Sequence, residues 1–163
     1  MDQQQALELI RSYCLDNNKT LAVAESVSSG ELQRLFGSAE QAGLFFQGGL
    51  TVYNCRQKHR HLSISEDACG PCNGVSLEVA REMAEHACGF FDCDLTLSLT
   101  GYASPIPELD IYDLHAFGAI FLDGELKYCG RIESKGSDPD EIRADYAVQL
   151  LIRCGEVIAK IEV

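Results

Sequence analysis

The chain has 163 residues, 46% of them hydrophobic, which suits one domain with a single core, so we expect one domain over residues 1–163. Lysine and arginine number 13 against 25 acidic residues, and the formal net charge is −12. Because this charge repels phosphate backbones and anionic membranes, we expect no nucleic-acid or membrane partner. The sequence shows neither a secretion signal nor a run near the ~20 apolar residues of a membrane span, so we expect a cytoplasmic protein.

The hydrophobic pattern predicts helices that alternate with strands. Helices are predicted over residues 2–16, from Ser28 to Phe36, from Asn54, from Ser76 and from Asp138 to Ile161. Strands are predicted over residues 21–24, 44–53, 94–101, 116–122 and 125–132. The last two strands flank a two-residue turn, Asp123-Gly124, which is typical of an antiparallel hairpin. We therefore predict a three-layer α/β/α fold whose mixed sheet contains one antiparallel hairpin.

Three local patterns refine these elements. Ser28 followed by Glu31 has the form of a capping box, which predicts that the serine side chain caps the second helix. Gly48 and Gly49 inside the second strand imply a bulge or a close approach by another group. The helix after Ser76 is predicted to bury one apolar face, made of Leu77, Ala80, Ala84, Ala87, Cys88 and Phe91.

Cys69-Gly70-Pro71-Cys72 has the spacing of a redox-active or zinc-binding cysteine pair. Two acidic residues just upstream would raise a thiol pKa, and the next helix begins only at Ser76, so a redox site is disfavoured. Cys88 would lie ~18 Å from this loop along a helix axis, which disfavours a four-cysteine zinc site. A partial site with His59 or His61 is the remaining alternative. We expect no bound metal, and we expect most of the eight cysteines to be reduced core residues.

Ser26 is a candidate nucleophile, because it stands where the buried strand 21–24 ends and a helix is about to begin. Backbone N–H groups at such a turn can hold a developing oxyanion. A turn-forming hydroxyl is the alternative interpretation of this serine. The four histidines show no pattern of a Ser-His-Asp triad, but a buried lysine can also act as the base. The only basic cluster, residues 56–61, contains Lys58, although spacing alone leaves open that it is a solvated helix face.

Five segments, in chain order, resemble the motifs of one family. They read AESVSSG at 24–30, FFQGGLTVYNCRQK at 45–58, GVSLEVAREMAEHA at 74–87, LTGYASP at 99–105 and FGAIFL at 117–122. The first is similar to the AESCTGG motif of the CinA C-terminal-domain family, the bacterial nicotinamide mononucleotide amidohydrolases. The series covers nearly the whole chain, and it implies the same layered α/β fold as the hydrophobic pattern.

The resemblance implies a serine/lysine amidohydrolase that releases ammonia from nicotinamide mononucleotide or a related amide and needs no cofactor. Ser26 would attack the carboxamide, Lys58 would be the general base, and Tyr53 would assist proton movement or orientation. Amides of the turn after Ser26 would stabilise the oxyanion. The substrate-binding residues that the resemblance implies are Val27, Ser28, Ser29, Gly30, Asn54, Thr100, Gly101 and Arg143. A homo-oligomer is compatible with the sequence.

Three departures from the family's motifs concern substrate recognition. Ser29-Gly30 replaces a glycine pair, which would keep the backbone farther from a ligand. Residues 104–110 replace a glycine-rich loop with two prolines and two acids, which remove N–H donors and repel anions. Asp138-Pro139 replaces a G-D-R motif, so the expected anion-binding arginine is absent and Arg143 is its candidate substitute. An alternative hypothesis is therefore a catalytically lapsed paralogue that serves as a binding or regulatory module.

Overall fold

The computed structural model describes residues 1–162. Five strands form one sheet: β1 Leu21–Glu25, β2 Phe46–Thr51, β3 Leu95–Gly101, β4 His115–Leu122 and β5 Glu125–Glu133. The helices are α1 Gln3–Asp16, α2 Glu31–Gly37, α3 Ala42–Phe45, α4 Cys55–Leu62, α5 Glu66–Cys69, α6 Leu77–Phe91 and α7 Pro139–Ile161. Two short 3-10 turns lie at Gly70–Cys72 and Pro107–Leu109.

The sheet is mixed, with the strand order β2-β1-β3-β4-β5. β1 pairs in parallel with both β2 and β3, whereas β4 is antiparallel to β3 and β5. The predicted hairpin is confirmed, because β4 and β5 pair across the turn at Asp123 and Gly124. Both turn residues have positive φ, as a two-residue hairpin turn requires.

Helices cover both faces of the sheet, which confirms the three-layer α/β/α prediction. α1, α2 and α7 bury the main core against one face, where Leu97 and Leu150 are completely buried. α4 and α6 pack on the other face, where Met83 and Leu62 lie in a smaller cluster. Each such side chain contributes about 1.5–3 kcal/mol when it leaves water. None of the helices within residues 1–162 is both long enough and apolar enough to cross a membrane.

The carboxyl ends of β1 and β3 meet at one edge of the sheet. Glu25 at the end of β1 is in register with Leu99 of β3, and the next residue, Ser26, donates its backbone N–H to Leu99 O at 2.9 Å. Ligands of open α/β sheets bind in the crevice at this edge. Ser26 and Thr100 are therefore brought together by strand pairing, although they are far apart in the sequence.

The predicted capping box at the start of α2 is wrong. Gly30 is the N-cap residue, with φ of 100°, and it has no side chain to cap the helix. The Ser28 hydroxyl instead donates to Glu25 Oε1 at 2.7 Å, and the Glu25 carboxylate accepts the N–H groups of Leu32 and Gln33. A buried carboxylate from the preceding strand thus replaces the serine, because it can accept several N–H groups at once.

The predicted strand over residues 44–53 is shorter than expected, because its beginning belongs to α3 and β2 ends at Thr51. The bulge is confirmed: Gly48 has φ of 122°, and the register between β1 and β2 shifts beside it. The close approach is confirmed at Gly49, where a Cβ would lie 2.5 Å from Gln33 Cγ and 2.6 Å from Val23 Cγ2. Only glycine leaves this space free for the Gln33 side chain.

The buried face of α6 is rotated from the predicted one. The buried residues of this helix are Val79, Ala80, Met83, Ala84 and Ala87. Leu77 is 48% exposed, and Cys88 and Phe91 are only partly buried, so these three were assigned wrongly to the core face. The alanines let α6 lie close to the sheet, and the two larger side chains fill the space towards α4.

The cysteines of the Cys69–Cys72 motif do not pair with each other. Cys69 forms a disulfide with Cys55, which joins α4 to α5, and Cys72 is a free thiol. Of the six free cysteines, only Cys14 and Cys154 are buried, so the expectation of reduced core residues is too simple. Within residues 1–162, no group of three or more histidine, cysteine or acidic side chains could hold a metal ion.

Candidate active site

Ser26 and Lys58 lie side by side in the interior. Lys58 Nζ is 3.0 Å from Ser26 Oγ, and the same amine donates to Val52 O at 3.0 Å. Ser26 is 6% exposed and Lys58 is 2% exposed. Ser26 follows β1 directly, while Lys58 lies in the first turns of α4, where the Asn54 side chain caps the helix by accepting Gln57 N–H. The structure therefore brings this serine and this lysine into hydrogen-bond contact.

The electrostatic environment makes Lys58 a candidate base. Burial lowers the pKa of Lys58 from its ordinary value of 10.5 to about 8, and the nearby Cys72 thiol opposes this shift weakly. An amine with a pKa of about 8 is partly neutral near physiological pH, so it can accept a proton. A nucleophile within hydrogen-bond reach of such a base is the arrangement of an activated serine.

A cavity of about 160 Å³ opens in front of this pair. It lies at the carboxyl ends of β1 and β3, as the strand pairing requires. Its lining residues are Ser26, Val27, Tyr53, Asn54, Lys58, Asn73, Val75, Thr100, Gly101, Tyr102, Ala103, Ser104, Ile106 and Arg143. The altered segment after Gly101 therefore forms part of the wall and leaves the cavity open.

Eight of the eleven residues predicted for the site line this cavity, and Ser28, Ser29 and Gly30 do not. Ser28 is fully buried and bonded to Glu25, whereas Ser29 is exposed with φ of 50°. Ser29 N–H donates to Ser26 O at 3.2 Å, which closes the turn. These three residues shape the turn behind the nucleophile and do not face the cavity.

The backbone of the turn offers a free donor beside Ser26. The N–H group of Val27 donates to no acceptor within residues 1–162. Val27 itself lines the cavity. Unsatisfied N–H groups next to a nucleophile can stabilise an oxyanion, provided that the substrate carbonyl reaches them.

Three further predicted residues have distinct surroundings. Tyr53 is 60% exposed and lines the cavity. Thr100 is 1% exposed, and its hydroxyl donates to Gly74 O. Gly101 is packed against β4, where a Cβ would lie 2.5 Å from the carbonyl oxygen of His115. Thr100 and Gly101 thus fix the far wall of the cavity.

Arg143 is the one cation besides Lys58 among the residues that line the cavity. Its Nη1 pairs with Asp140 at 2.9 Å on the surface. Its Nε is buried and has no hydrogen-bond partner within residues 1–162. A buried N–H without a partner costs about 1–3 kcal/mol, so an acceptor group of a ligand would be stabilising at this position.

The sequence reasoning missed the cavity residues of two segments. Asn73 and Val75 follow the cysteine motif, and Tyr102 and Ala103 follow β3. A signal existed for the first segment, because Asn73-Gly74 is a turn dipeptide and both residues have positive φ. That turn brings the Gly74 carbonyl to the Thr100 hydroxyl and the neighbouring side chains to the cavity.

A family model described as the CinA C-terminal domain matches residues 3–152. The chain belongs to the CinA C-terminal domain family. The match includes the segments of Ser26 and Lys58 as well as Arg143, so the family resemblance of the sequence is confirmed.

Two curated relatives that are named CinA-like proteins are longer than this chain. A CinA-like protein of Syntrophomonas wolfei is 32% identical over 139 residues, which is 82% of this chain and 33% of that protein. A CinA-like protein of Thermotoga maritima is 32% identical over 119 residues, which is 71% of this chain and 28% of that protein. The CinA-like chain described here therefore spans about a third or less of the length of these two relatives.

Solved structures share the fold over nearly the full chain. A competence or damage-inducible protein from Enterobacter asburiae has a TM-score of 0.88 at 20% identity, with 97% of this chain and 99% of that chain covered. A competence-damaged protein (CinA) superfamily protein from Escherichia coli has a TM-score of 0.84 at 23% identity, with 94% and 88% covered. At these identities the likeness establishes the α/β fold of the CinA family.

Proposed function

We propose that this CinA-family protein is an amidohydrolase that releases ammonia from a carboxamide by a serine/lysine mechanism. The observation that carries the proposal is the contact between Ser26 Oγ and Lys58 Nζ at 3.0 Å, with the pKa of the lysine lowered to about 8 by burial. The family resemblance supports nicotinamide mononucleotide, or a related amide without its phosphate, as the substrate. The chemistry requires only side chains, backbone amides and water.

In the first half of the reaction, Ser26 Oγ attacks the carboxamide carbon while neutral Lys58 accepts the hydroxyl proton. A C–O bond forms, and the carbonyl becomes a tetrahedral oxyanion. The free N–H group of Val27, a residue that lines the cavity, is the candidate donor to this oxyanion. The Lys58 ammonium then gives its proton to the departing nitrogen, the C–N bond breaks, and ammonia leaves with an acyl-serine behind it.

In the second half, water attacks the acyl-serine. Lys58, now neutral again, accepts a proton from this water, and the ester C–O bond breaks to return the proton to Ser26. The products are the carboxylate and the free enzyme, so the atoms balance as amide plus water to acid plus ammonia. Lys58 is hydrogen-bonded to Val52 O as well as close to Ser26, which keeps its amine in place through both halves.

Substrate recognition would involve the walls of the cavity. Tyr53 offers an exposed ring at the mouth, which suits stacking on an aromatic amide such as nicotinamide. The buried Arg143 Nε is a candidate partner for an anionic or carbonyl oxygen farther from the reacting bond. A volume of about 160 Å³ is small beside the ~300–1,000 Å³ of common ligand pockets, which favours a substrate whose amide end alone is enclosed.

The test is ammonia release by the purified protein with nicotinamide mononucleotide and with its unphosphorylated riboside. Ser26→Ala and Lys58→Met should each reduce the rate by at least about 10³-fold, because both halves of the reaction need both groups. Ser63→Ala, at an exposed serine that follows α4, is the matched control and should keep the wild-type rate. Wild-type rates in folded Ser26→Ala protein would exclude the serine mechanism.

The alternative is a binding module that has lost catalysis. It would be favoured if the wild-type protein released no ammonia from either amide but bound one of them. The altered segment 104–110 motivates this alternative, and the paired nucleophile and base argue against it. Calorimetry with both amides, together with the ammonia assay, separates the two functions. An enzyme and a binding module would both bind an amide, but only the enzyme would turn it over.

A further inference from the structure

Glu25 is a fully buried carboxylate that the proposed reaction does not use. Its oxygens accept hydrogen bonds from Ser28 Oγ at 2.7 Å, Leu32 N at 2.8 Å, and Gln33 N and Nε2 at 3.1 and 2.9 Å. No lysine or arginine within residues 1–162 pairs with it. A buried charge is tolerated only when hydrogen bonds satisfy it, so four donors aimed at one carboxylate indicate a fixed geometry.

The Gln33 side chain extends this network across the sheet. Its Nε2 donates one proton to Glu25 Oε2 and the other to Thr51 Oγ1 at 3.1 Å. A primary amide has two donors, so this nitrogen is fully used by the two contacts. Gln33 therefore bridges the end of β1, where Glu25 lies, and the end of β2, where Thr51 lies.

Gly49 leaves free the space that the Gln33 side chain occupies. A Cβ at this position would lie 2.5 Å from Gln33 Cγ and 2.8 Å from Gln33 Cδ, so the glutamine side chain occupies the space that any other residue would fill. Main-chain bonding reinforces the bridge, because Val52 N–H donates to Glu25 O at 2.8 Å. The two strand ends are thus tied both by backbone and by side chains.

The bridged strand ends are the ones that carry the nucleophile and hold the base. Ser26 is the residue after Glu25, and Lys58 Nζ donates to Val52 O, the residue after Thr51. We propose that Glu25 and Gln33 are positioning residues, which set the distance between Ser26 Oγ and Lys58 Nζ by fixing these two strand ends against each other. This inference rests on the proposed amidohydrolase function.

The distance matters because proton transfer between Ser26 and Lys58 needs hydrogen-bond contact. A misplacement of about 1 Å can reduce a rate by about 10²-fold. Loosening the strand ends would also admit water to the Lys58 amine, which burial now keeps at a lowered pKa. Loss of the bridge therefore has two measurable consequences, on turnover and on the titration of Lys58.

The experiment compares Glu25→Gln, Gln33→Leu and Thr51→Val with the matched control Arg34→Gln, which lies next to Gln33 but points its side chain to solvent. We expect Gln33→Leu and Glu25→Gln to lower kcat at least about tenfold with KM within about twofold. Thr51→Val should lower kcat less but in the same direction, Thr51→Ser should restore it, and Arg34→Gln should leave both constants unchanged.

A second measurement does not depend on turnover. The pH midpoint at which an acylating reagent labels Lys58 reports the pKa of its amine, and it should rise towards 10.5 in Gln33→Leu and Glu25→Gln but not in Arg34→Gln. If the wild-type protein releases no ammonia, the proposed function fails, and this midpoint still decides the positioning role. A rise in the bridge variants alone supports that role.

The inference is overturned if folded Gln33→Leu and Thr51→Val keep the wild-type kcat and the wild-type labelling midpoint. It is also overturned if kcat falls while the midpoint is unchanged and Thr51→Ser does not restore activity, since that result indicates a general loss of structure. Thr51 is exposed, so its variants are expected to fold even if the loss of the buried Glu25 charge prevents folding.

Discussion

Lys58 Nζ lies 3.0 Å from Ser26 Oγ, although the two residues are 32 positions apart in the chain. The contact exists because β1 and β2 are parallel neighbours and end at the same edge of the sheet. Ser26 follows β1, and α4, which carries Lys58, begins four residues after β2 ends. Neighbouring strand ends thus bring the proposed nucleophile and the proposed base together.

The lowered pKa of Lys58 predicts the pH dependence of ammonia release. Only the neutral amine accepts the serine proton, so kcat/KM should rise with pH and reach a plateau above about 8. A lysine with its ordinary value of 10.5 would still gain activity at pH 10. The measurement is a pH–rate profile from pH 6 to 10 in buffers of constant ionic strength, with protein folding checked at both ends.

The buried amine of Lys58 should also lower the free energy of unfolding. The fall in its pKa from 10.5 to about 8 corresponds to about 3 kcal/mol at pH 7, because the folded state there must charge a buried amine. Between pH 8 and 10.5 the unfolded chain binds the proton more strongly than the folded protein, so stability rises with pH across this window. Lys58→Met should therefore stabilise the protein at pH 7, by at most about 3 kcal/mol.

Urea unfolding of Lys58→Met at pH 7 and pH 10 checks this prediction. The gain over wild type should shrink at pH 10, where the wild-type amine is neutral in the folded protein. Lys160→Met, at an exposed position near the end of α7, is the control and should show no such pH dependence. A variant that is less stable than wild type at pH 7 would contradict the assignment of a buried, poorly solvated amine.

Local sequence signals predicted most of the elements, because their physical causes are local. The cap at Ser76, the proline after Asp138 and the turn at Asp123-Gly124 each act within four residues, and each is present in the structure. The capping pattern at Ser28 gave a wrong prediction, because the N–H groups at the start of α2 bond to the Glu25 carboxylate and not to the serine. Glu25 lies seven residues before Leu32, outside the capping motif. A residue outside the motif that bonds to the same N–H groups leaves no signal within the motif itself.

The candidate site was only partly predictable. A serine after a buried strand and a lysine in a basic cluster could be proposed as candidates, but their contact depends on the order β2-β1-β3, which pattern alone does not give. The disulfide between Cys55 and Cys69 was missed because eight cysteines allow many pairings. The bridge through Gln33 was indicated in the sequence only by Gly48 and Gly49, which predicted a bulge or a close approach without naming the group that approaches.

The disulfide between Cys55 and Cys69 predicts a stability that depends on redox conditions. The two cysteines, in α4 and α5, are 14 positions apart in the chain. In the chain-entropy treatment, a disulfide that closes a loop of this size stabilises the folded state by about 3 kcal/mol. A Cys55→Ser/Cys69→Ser protein should lose about this much free energy of unfolding without reductant, and wild type should lose it when a dithiol reductant is added. Cys129→Ser, which changes a free cysteine, is the control.

Thiol counting verifies the pairing independently. The unfolded wild-type chain should show six reactive thiols before reduction and all eight cysteines after it. Eight thiols without reductant, in protein purified under air, would contradict the pairing of Cys55 with Cys69. The count also distinguishes this pair from one between Cys69 and Cys72 once Cys72→Ser is compared, because that variant should keep the disulfide and lose one free thiol.

Arg143 should discriminate between phosphorylated and unphosphorylated amides. Its buried Nε has no partner in the described part of the chain, and a hydrogen bond to a charged group contributes about 1.5–3 kcal/mol. Arg143→Gln should therefore raise KM for nicotinamide mononucleotide about tenfold or more and leave KM for the riboside nearly unchanged. Asp140→Asn, which removes the carboxylate charge beside Nη1 and keeps the guanidinium, should not raise either KM. Equal increases for both substrates would place Arg143 outside phosphate recognition.

Gly49 should tolerate no side chain. In Gly49→Ala the new Cβ would lie 2.5 Å from Gln33 Cγ and 2.6 Å from Val23 Cγ2, so the strand must move or Gln33 must leave its bridge. Overpacking of this kind destabilises proteins by about 1–3 kcal/mol. Gly89→Ala is the matched control, since a Cβ there meets no atom within 4 Å and replaces glycine inside α6, which should stabilise by about 0.5–1 kcal/mol. Thermal unfolding of both variants measures these opposite signs, and a stable Gly49→Ala protein with unchanged activity would show that the Gln33 side chain does not need this space.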